Sequence, residues 1–315
     1  MEPRHDTVLL KEAVEGLDLS PSDVVVDATL GAAGHFGLLY GALGPKGVLV
    51  GIDADEASIA RATGAVEKRE DGPTVHIVHD NFRNITNILD HEQISCIDKA
   101  LFDLGWNGFQ LTAGRGFSFR TDEPLLMTYG EPEEGKSAAD LVNTLPEQEL
   151  SDLIYTYGEE RFSRGIAKSI CERRKKQRIL TTFALVEAIE AGTPSWYHTR
   201  KLHPATKTFQ ALRIATNDEL GALRAGIAGA LSRLTLGGRI AIITFHSIED
   251  RIVKGELRDA AYAGQGTVIT RKPIVPSDEE LRANPRARSA KLRIFERCNG
   301  EGVCLVQEEP LEVYA

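Results

Sequence analysis

Asp23-Val24-Val25-Val26-Asp27-Ala28-Thr29-Leu30-Gly31-Ala32-Ala33-Gly34-His35 is the stretch that decides how this chain folds. Its valines suit a short strand covered on both faces. The glycines that follow let the backbone turn sharply and approach a ligand closely. A second apolar run, Val48-Leu49-Val50-Gly51-Ile52, ends in Asp53. An acid at the end of the second strand is placed to hydrogen-bond ribose hydroxyls. A glycine turn with an acid downstream is the layout of a nucleoside-cofactor site. The spacing Gly31, Gly34, Gly37 departs from G-x-G-x-x-G and so argues against a nicotinamide or flavin. No G-x-x-x-x-G-K-[ST] follows either strand, which argues against a nucleoside triphosphate. A plain strand-to-helix turn is the competing reading of the same glycines.

Working outward, the first ~110 residues alternate strand and helix patterns, as a parallel α/β sheet requires. Strands are expected at Val24–Asp27, Val48–Asp53, Val75–His79 and Ile97–Asp103. From about Gln110 the strand pattern stops. Helices are expected at 137–142, 147–157, 160–178 and 181–191, which reads as a helical insert. A helix at 220–234, a turn at Gly237-Gly238 and a buried strand Arg239–Phe245 bring the sheet back, and 267–270 and 291–295 supply two last strands. Seven strands with one antiparallel member, formed by a final hairpin, fit a Rossmann-like methyltransferase sheet. The expected organisation is a discontinuous sheet domain, 1–109 plus 206–315, interrupted by a helical domain, 110–205.

Composition narrows the setting. The chain has 315 residues, 42% of them hydrophobic, enough for one large domain or two moderate ones. No run approaches the ~20 apolar residues of a membrane span. The start, Met1-Glu2-Pro3-Arg4-His5-Asp6, has no apolar core of a secretory signal. Cys96, Cys171, Cys298 and Cys304 do not form a zinc set, and His35 and His203 have no metal-ligand partners at helical spacing, so no metal is expected. Scattered free thiols suit a reducing, cytoplasmic setting.

The net charge of −9 speaks against nucleic acid, but its distribution does not. Between Arg161 and Arg213 there are twelve lysines and arginines against three acids, centred on Arg173, Arg174, Lys175 and Lys176. A second basic stretch, Arg282 to Arg297, contains Arg286 and Arg288. Clustered cations on an acidic protein suggest a polyanion surface, with a solvated helix face as the alternative. Lys207 and Arg213 are further candidates for phosphate contacts, and Phe209 either stacks on a base or packs in the core.

Ligands of an open α/β sheet bind at the carboxyl ends of its strands, where Asp27, Asp53 and Asp103 are expected. Asp103-Leu104-Gly105 ends the fourth strand. The fifth runs into Thr244-Phe245-His246-Ser247-Ile248-Glu249-Asp250-Arg251, a crowd of polar groups at the same edge. A Ser-His-Asp hydrolase is disfavoured. There is no G-x-S-x-G elbow, and adjacent His246 and Ser247 are poorly placed as base and nucleophile.

Many of these segments together resemble the ribosomal small-subunit RNA cytosine-N4 methyltransferase H family (MraW-like). The resemblance runs over nearly the whole chain. It includes residues 5–12, Gly31–His35, Asp103-Leu104-Gly105, Gln110-Leu111 and Arg115-Gly116-Phe117-Ser118-Phe119. It continues through Tyr157-Gly158-Glu159-Glu160-Arg161-Phe162, His203–Arg213, Phe245–Lys254 and Asn284–Ser289. It implies an S-adenosylmethionine-dependent enzyme that methylates the exocyclic amine of a cytidine in the decoding region of small-subunit rRNA, with the rRNA presented in a ribosomal particle. By position, cofactor contacts would be Ala33, Gly34, His35, Asp53, Phe82, Asp103 and Gln110. The chain departs from the family where P-L-D-M-R is usual: it has Pro124-Leu125-Leu126-Met127-Thr128, lacking the acid and the arginine.

The expected chemistry follows. Asp103, or a carbonyl just after it, accepts a hydrogen bond from the amine as the N–C bond forms. His246 is the second candidate, either as proton acceptor or as a loop histidine that organises Asp250 and Arg251. Trp106, Phe109 or Phe117 would stack on the extruded base. Competing readings are a methyltransferase for DNA or another amine, and an inert RNA-binding assembly factor of the same fold. Association as monomer or homodimer is left open.

Overall fold

The computed structural model describes residues 7–65, 70–105, 114–130 and 136–298. In chain order α1 (Leu10–Leu17) leads to β1 (Val24–Asp27), α2 (Gly34–Ala42), β2 (Val48–Asp53), α3 (Glu56–Ala65), β3 (Thr74–His79), α4 (Ile85–His91) and β4 (Ile97–Asp103). Helices α5 (Ala138–Thr144), α6 (Glu147–Gly158), α7 (Ser163–Arg174), α8 (Thr182–Ala191) and α9 (Thr206–Asn217) follow. Then come α10 (Glu219–Arg233), β5 (Leu234–Thr244), α11 (Ser247–Tyr262), β6 (Gly266–Val268), α12 (Asp278–Ala283) and β7 (Lys291–Arg297).

The chain divides into two compact units. The first comprises the described residues of Asp6–Asp53, Ala57–Gly105 and Arg224–Ala315. It contains the sheet, ordered β3-β2-β1-β4-β5-β7-β6. All pairings are parallel except those of β7, which runs antiparallel to both β5 and β6. This is the expected seven-strand, mostly parallel sheet. Val25 and Val26 of β1 are fully buried, as a central strand covered on both faces should be. The core on one face joins Leu9, Leu17, Phe36, Leu39, Leu49, Leu101 and Ile243.

The turn expected at Gly237-Gly238 is absorbed into β5. Pairing with β4 jumps from Ile97↔Leu234 to Lys99↔Arg239, so the extra residues bulge out of the ladder. Strand order reverses at β1, which has β2 on one side and β4 on the other. That switch point puts Asp27, Asp53 and Asp103 at three neighbouring carboxyl ends.

The second unit contains the described residues of Ala54–Glu56 and Trp106–Leu223. Its core gathers Leu125, Met127, Leu150, Ile154, Ile166, Ile170 and Leu185. Helix α9, which the sequence reading assigned to the sheet domain, supplies Phe209 and Leu212 to this core. It can approach α6 closely because Gly158 has no side chain; a Cβ there would lie 2.5 Å from the Lys207 carbonyl. Phe209 is therefore a packing residue, 5% exposed. Local signals start these helices: Ser137 and Asp140 form a reciprocal capping box on α5, and Thr181 caps α8.

Candidate active site

The turn after β1 is stitched to both neighbouring strands: Ala28 N–H donates to the Leu101 carbonyl (2.9 Å) and Leu30 N–H to the Ile52 carbonyl (3.1 Å). Gly31 and Ala33 take left-handed backbone angles, with φ of 51° and 64°. Glycine does so without penalty; for alanine the conformation costs about 1–2 kcal/mol. Asp53 braces the turn, its Oδ2 accepting the Gly31 N–H at 2.8 Å. Helix α2 then begins at Gly34, where a Cβ would lie 1.8 Å from Thr7 Oγ1. Only glycine lets the segment before α1 cross the start of this helix. The first-turn amides of α2 make its N-terminus electropositive.

Four side chains meet beside this turn. The Asp103 N–H donates to Thr29 Oγ1 (2.7 Å), and Asp27 Oδ1 accepts the Thr29 N–H (3.2 Å). His35 Nδ1 stands 3.5 Å from Asp103 Oδ2. Burial pushes the Asp27 carboxyl up to about 7, against the pull of His35 and the Thr29 amide. Burial alone would lower the His35 ring, but the hydrogen bond to Asp103 and the charges of Asp103 and Asp27 outweigh it and raise its pKa. Three buried atoms of this group have no hydrogen-bond partner among the described residues: Asp27 Oδ2, His35 Nε2 and Asp103 Oδ1. Buried polar atoms are nearly always satisfied, so an unsatisfied cluster at a sheet's switch point marks a place for a polar ligand.

Gly105 has a separate, steric reason. A Cβ there would come within 2.7 Å of the Phe245 ring, so β4 and β5 can leave the sheet side by side only if residue 105 is glycine. Phe82 sits in a short turn of helix after β3, its ring edge-on to Phe102 at 5.6 Å. Gln110, Trp106 and Phe109 lie outside the described residues. Phe117, in the helical unit, stacks on Tyr129 at 5.7 Å.

His246 has a local task. It is the N-cap of α11: its Nδ1 accepts the Glu249 N–H at 3.3 Å, while Glu249 Oε2 accepts the amides of Phe245 and His246. His246 Nε2 lies 3.1 Å from Glu249 Oε1. This capping box engages Nδ1, while Nε2 is buried without a hydrogen-bond partner among the described residues, so the cap accounts for only one of the two ring nitrogens. Asp250 is held instead by Arg293 (2.7 Å) and Lys291 (2.8 Å), so these two cations of the second basic stretch are engaged within the fold.

The basic residues separate by role. Lys175, Lys176, Arg286 and Arg288 are exposed. Arg173 pairs with Glu187, and Arg174 donates to the Val142 carbonyl at 2.8 Å. Lys207 donates to the Glu159 carbonyl at 2.7 Å, and Arg213 pairs with Glu219 at 2.9 Å. These last four cations tie the helical unit together, an internal role that spacing alone does not reveal. At the departure from the usual P-L-D-M-R, Thr128 is buried with its hydroxyl unpartnered among the described residues. Thr29 was missed by sequence reasoning; its position two residues past the acid of β1 was the available signal.

A family model described as the MraW methylase family matches residues 2–298. Among curated proteins, "Ribosomal RNA small subunit methyltransferase H" of Brevibacillus brevis is 44% identical over 309 residues, covering 93% of this chain and 98% of its own. The protein of the same name from Deinococcus radiodurans is 47% identical over 294 residues, covering 93% and 89%. Among solved structures, an rRNA methylase from Streptococcus thermophilus is 14% identical, with TM-score 0.43 over 95% of this chain and 99% of that one.

Proposed function

The chain belongs to the MraW methylase family, and from that premise we propose that it methylates small-subunit ribosomal RNA with S-adenosylmethionine as donor. The finer reading is transfer to the exocyclic N4 of a cytidine in the decoding region. The observation that carries it is the unsatisfied cluster of Asp27, His35 and Asp103 beside the left-handed turn. The family resemblance assigns donor contacts to these same strand ends.

The residues present suit that donor. Asp53, already bonded to the turn, is placed for ribose hydroxyls; Ala33, Gly34 and His35 would meet the amino-acid end, and Phe82 the base. Gln110 is carried over from the family. When bound, the sulfonium supplies an electrophilic methyl group. The acceptor amine is weakly nucleophilic because its lone pair is delocalised into the ring. The protein's task is therefore to align it and to stabilise charge as nitrogen becomes positive. Alignment of this kind is worth about 7–11 kcal/mol in favourable cases. Asp103 Oδ1 is the acceptor for the amine N–H, an oxyanion hole with the signs reversed. His246 caps α11 through Nδ1, and its buried Nε2, unpartnered among the described residues, is the candidate acceptor for the proton the amine loses on methylation.

The test is tritiated-methyl incorporation into immature small-subunit particles, with nucleoside analysis of the product. N4-methylcytidine formed by the wild-type chain and lost in Asp103→Ala, with the variant's melting unchanged, is the expected result. Donor binding without incorporation by the wild type would favour an inert assembly factor.

A further inference from the structure

Trp196 is 54% exposed, yet it is fixed rather than loose. It sits in the short turn Ser195–Tyr197, and the turn is anchored from beneath. Glu160 is fully buried and accepts the Tyr197 O–H at 2.6 Å and the Phe162 N–H at 2.9 Å. Burial and the Glu160 carboxylate push the Tyr197 phenol up to about 12, so the O–H donor persists at any physiological pH. The Arg161 guanidinium lies 4.7 Å from the Phe162 ring centre and 4.8 Å from that of Trp196. Trp196 meets Phe162 and Tyr197 edge-on, at 5.8 and 5.9 Å. Arg161 itself is exposed and has no ion pair among the described residues.

A packing explanation would bury the indole, and a charge-pairing explanation would give Arg161 an acid. Neither holds. The exposed charge on the two segments that carry the platform is basic: from Arg161 to Cys171 and from Ala191 to Asn217 the sequence contains no acid, and Arg164, Arg200 and Lys201 are exposed. A rigid, half-exposed aromatic with a guanidinium on it, in a basic field, is the equipment for stacking an unpaired base beside its phosphates.

We propose that Trp196 and Arg161 form a stacking platform for one unpaired base of the RNA substrate, with Arg200 and Lys201 facing the flanking phosphates. This rests on the RNA reading above. It adds a binding element in the helical unit that none of the catalytic assignments includes.

The experiment compares full-length wild type, Trp196→Ala, Trp196→Phe and Arg161→Gln. Affinity for a fluorescein-labelled single-stranded oligoribonucleotide is read by anisotropy. Affinity for S-adenosylmethionine is read by calorimetry, and folding by thermal melting. Trp196→Ala should bind the oligoribonucleotide about tenfold or more weakly, Arg161→Gln several-fold more weakly, and Trp196→Phe within about threefold of wild type. All should melt normally and keep the donor affinity. Equal RNA binding by folded Trp196→Ala overturns the platform and leaves the RNA reading standing. Wild type that binds no RNA overturns both. Wild type that dimerises in sedimentation, with Trp196→Ala monomeric and undiminished in RNA binding, assigns the face to a second copy and also overturns the platform.

Discussion

Nδ1 of His35, in the first turn of α2, stands 3.5 Å from Oδ2 of Asp103 at the end of β4. The Asp103 amide is held at the same time by Thr29 Oγ1, at 2.7 Å. One carboxylate oxygen is thus engaged by a ring whose pKa is raised, and the other, Oδ1, is left without a partner among the described residues. The arrangement leaves Oδ1 as the oxygen that the proposed amine acceptor would use.

His35→Leu should therefore reduce methyl transfer. A hydrogen bond to a charged group is worth about 1.5–3 kcal/mol, or roughly ten- to hundredfold in rate. In the wild type, turnover should decline as pH rises through the raised pKa of the ring, because the neutral imidazole holds the carboxylate less firmly. In His35→Leu that alkaline limb should vanish. A pH–rate profile of kcat/KM checks both, and an unchanged limb in the variant would remove His35 from the site.

Asp27 makes stability depend on pH. Its carboxyl, ordinarily near 3.8, is pushed to about 7 by burial, facing His35, Asp103, Asp53 and the Thr29 amide. The folded chain then binds a proton that the unfolded chain has already lost. The stabilisation is fully present below pH 3.8 and is lost as pH rises through about 7. The slope is at most about 1.4 kcal/mol per pH unit. Asp27→Asn should flatten the stability profile from pH 5 to 7, where the His35 contribution remains. Urea unfolding at several pH values measures it; parallel profiles for the two proteins would contradict the assignment.

The sheet was readable because its central strands obey a simple rule: Val24–Val26 and Val48–Ile52 are apolar runs that only a strand buried on both faces tolerates. Asp27 and Asp53 were readable for the same reason, since they stop those runs, and Asp103 because it ends the apolar stretch Ala100–Phe102 of β4. The contacts that His246, Lys207 and Arg213 make within the protein were not. Their residue types suit proton transfer or phosphate binding, and only packing shows His246 capping α11 and the two cations bonded within the helical unit. The limit of the insert was also hidden. The 3.6-residue apolar pattern of α9 says that it is amphipathic but not which core receives Phe209 and Leu212.

Asp250 gives a prediction of the same kind. Burial pushes its carboxyl up, but the hydrogen bonds and charges of Arg293 and Lys291 outweigh that and lower its pKa. Arg293 is itself buried. Asp250→Ala strands that guanidinium and should cost about 3–5 kcal/mol. The wild-type stabilisation is present above the ordinary carboxylate pKa and lost as pH falls through the lowered one. Urea melts at pH 7 should show the deficit, and the gap between wild type and variant should narrow in acid. A variant as stable as wild type at pH 7 would mean that Arg293 finds another partner.

The four cations at the end of α7 should not behave alike. Lys175 and Lys176 are exposed and have no ion pair among the described residues, whereas Arg174 donates to the Val142 carbonyl and Arg173 pairs with Glu187. If this face meets the RNA backbone, reversing Lys175 and Lys176 to Glu removes two phosphate contacts. On single-stranded RNA each contact contributes about 0.7 to the slope of log K against log salt, so the slope should fall by about 1.4 with no change in melting. Reversing Arg174 should instead lower the melting temperature, through loss of a bond worth about 1 kcal/mol. Filter binding across a salt series, run beside thermal melts, separates the two effects. A Lys175→Glu/Lys176→Glu protein with the wild-type salt slope would show that the exposed lysines only solvate the end of their helix.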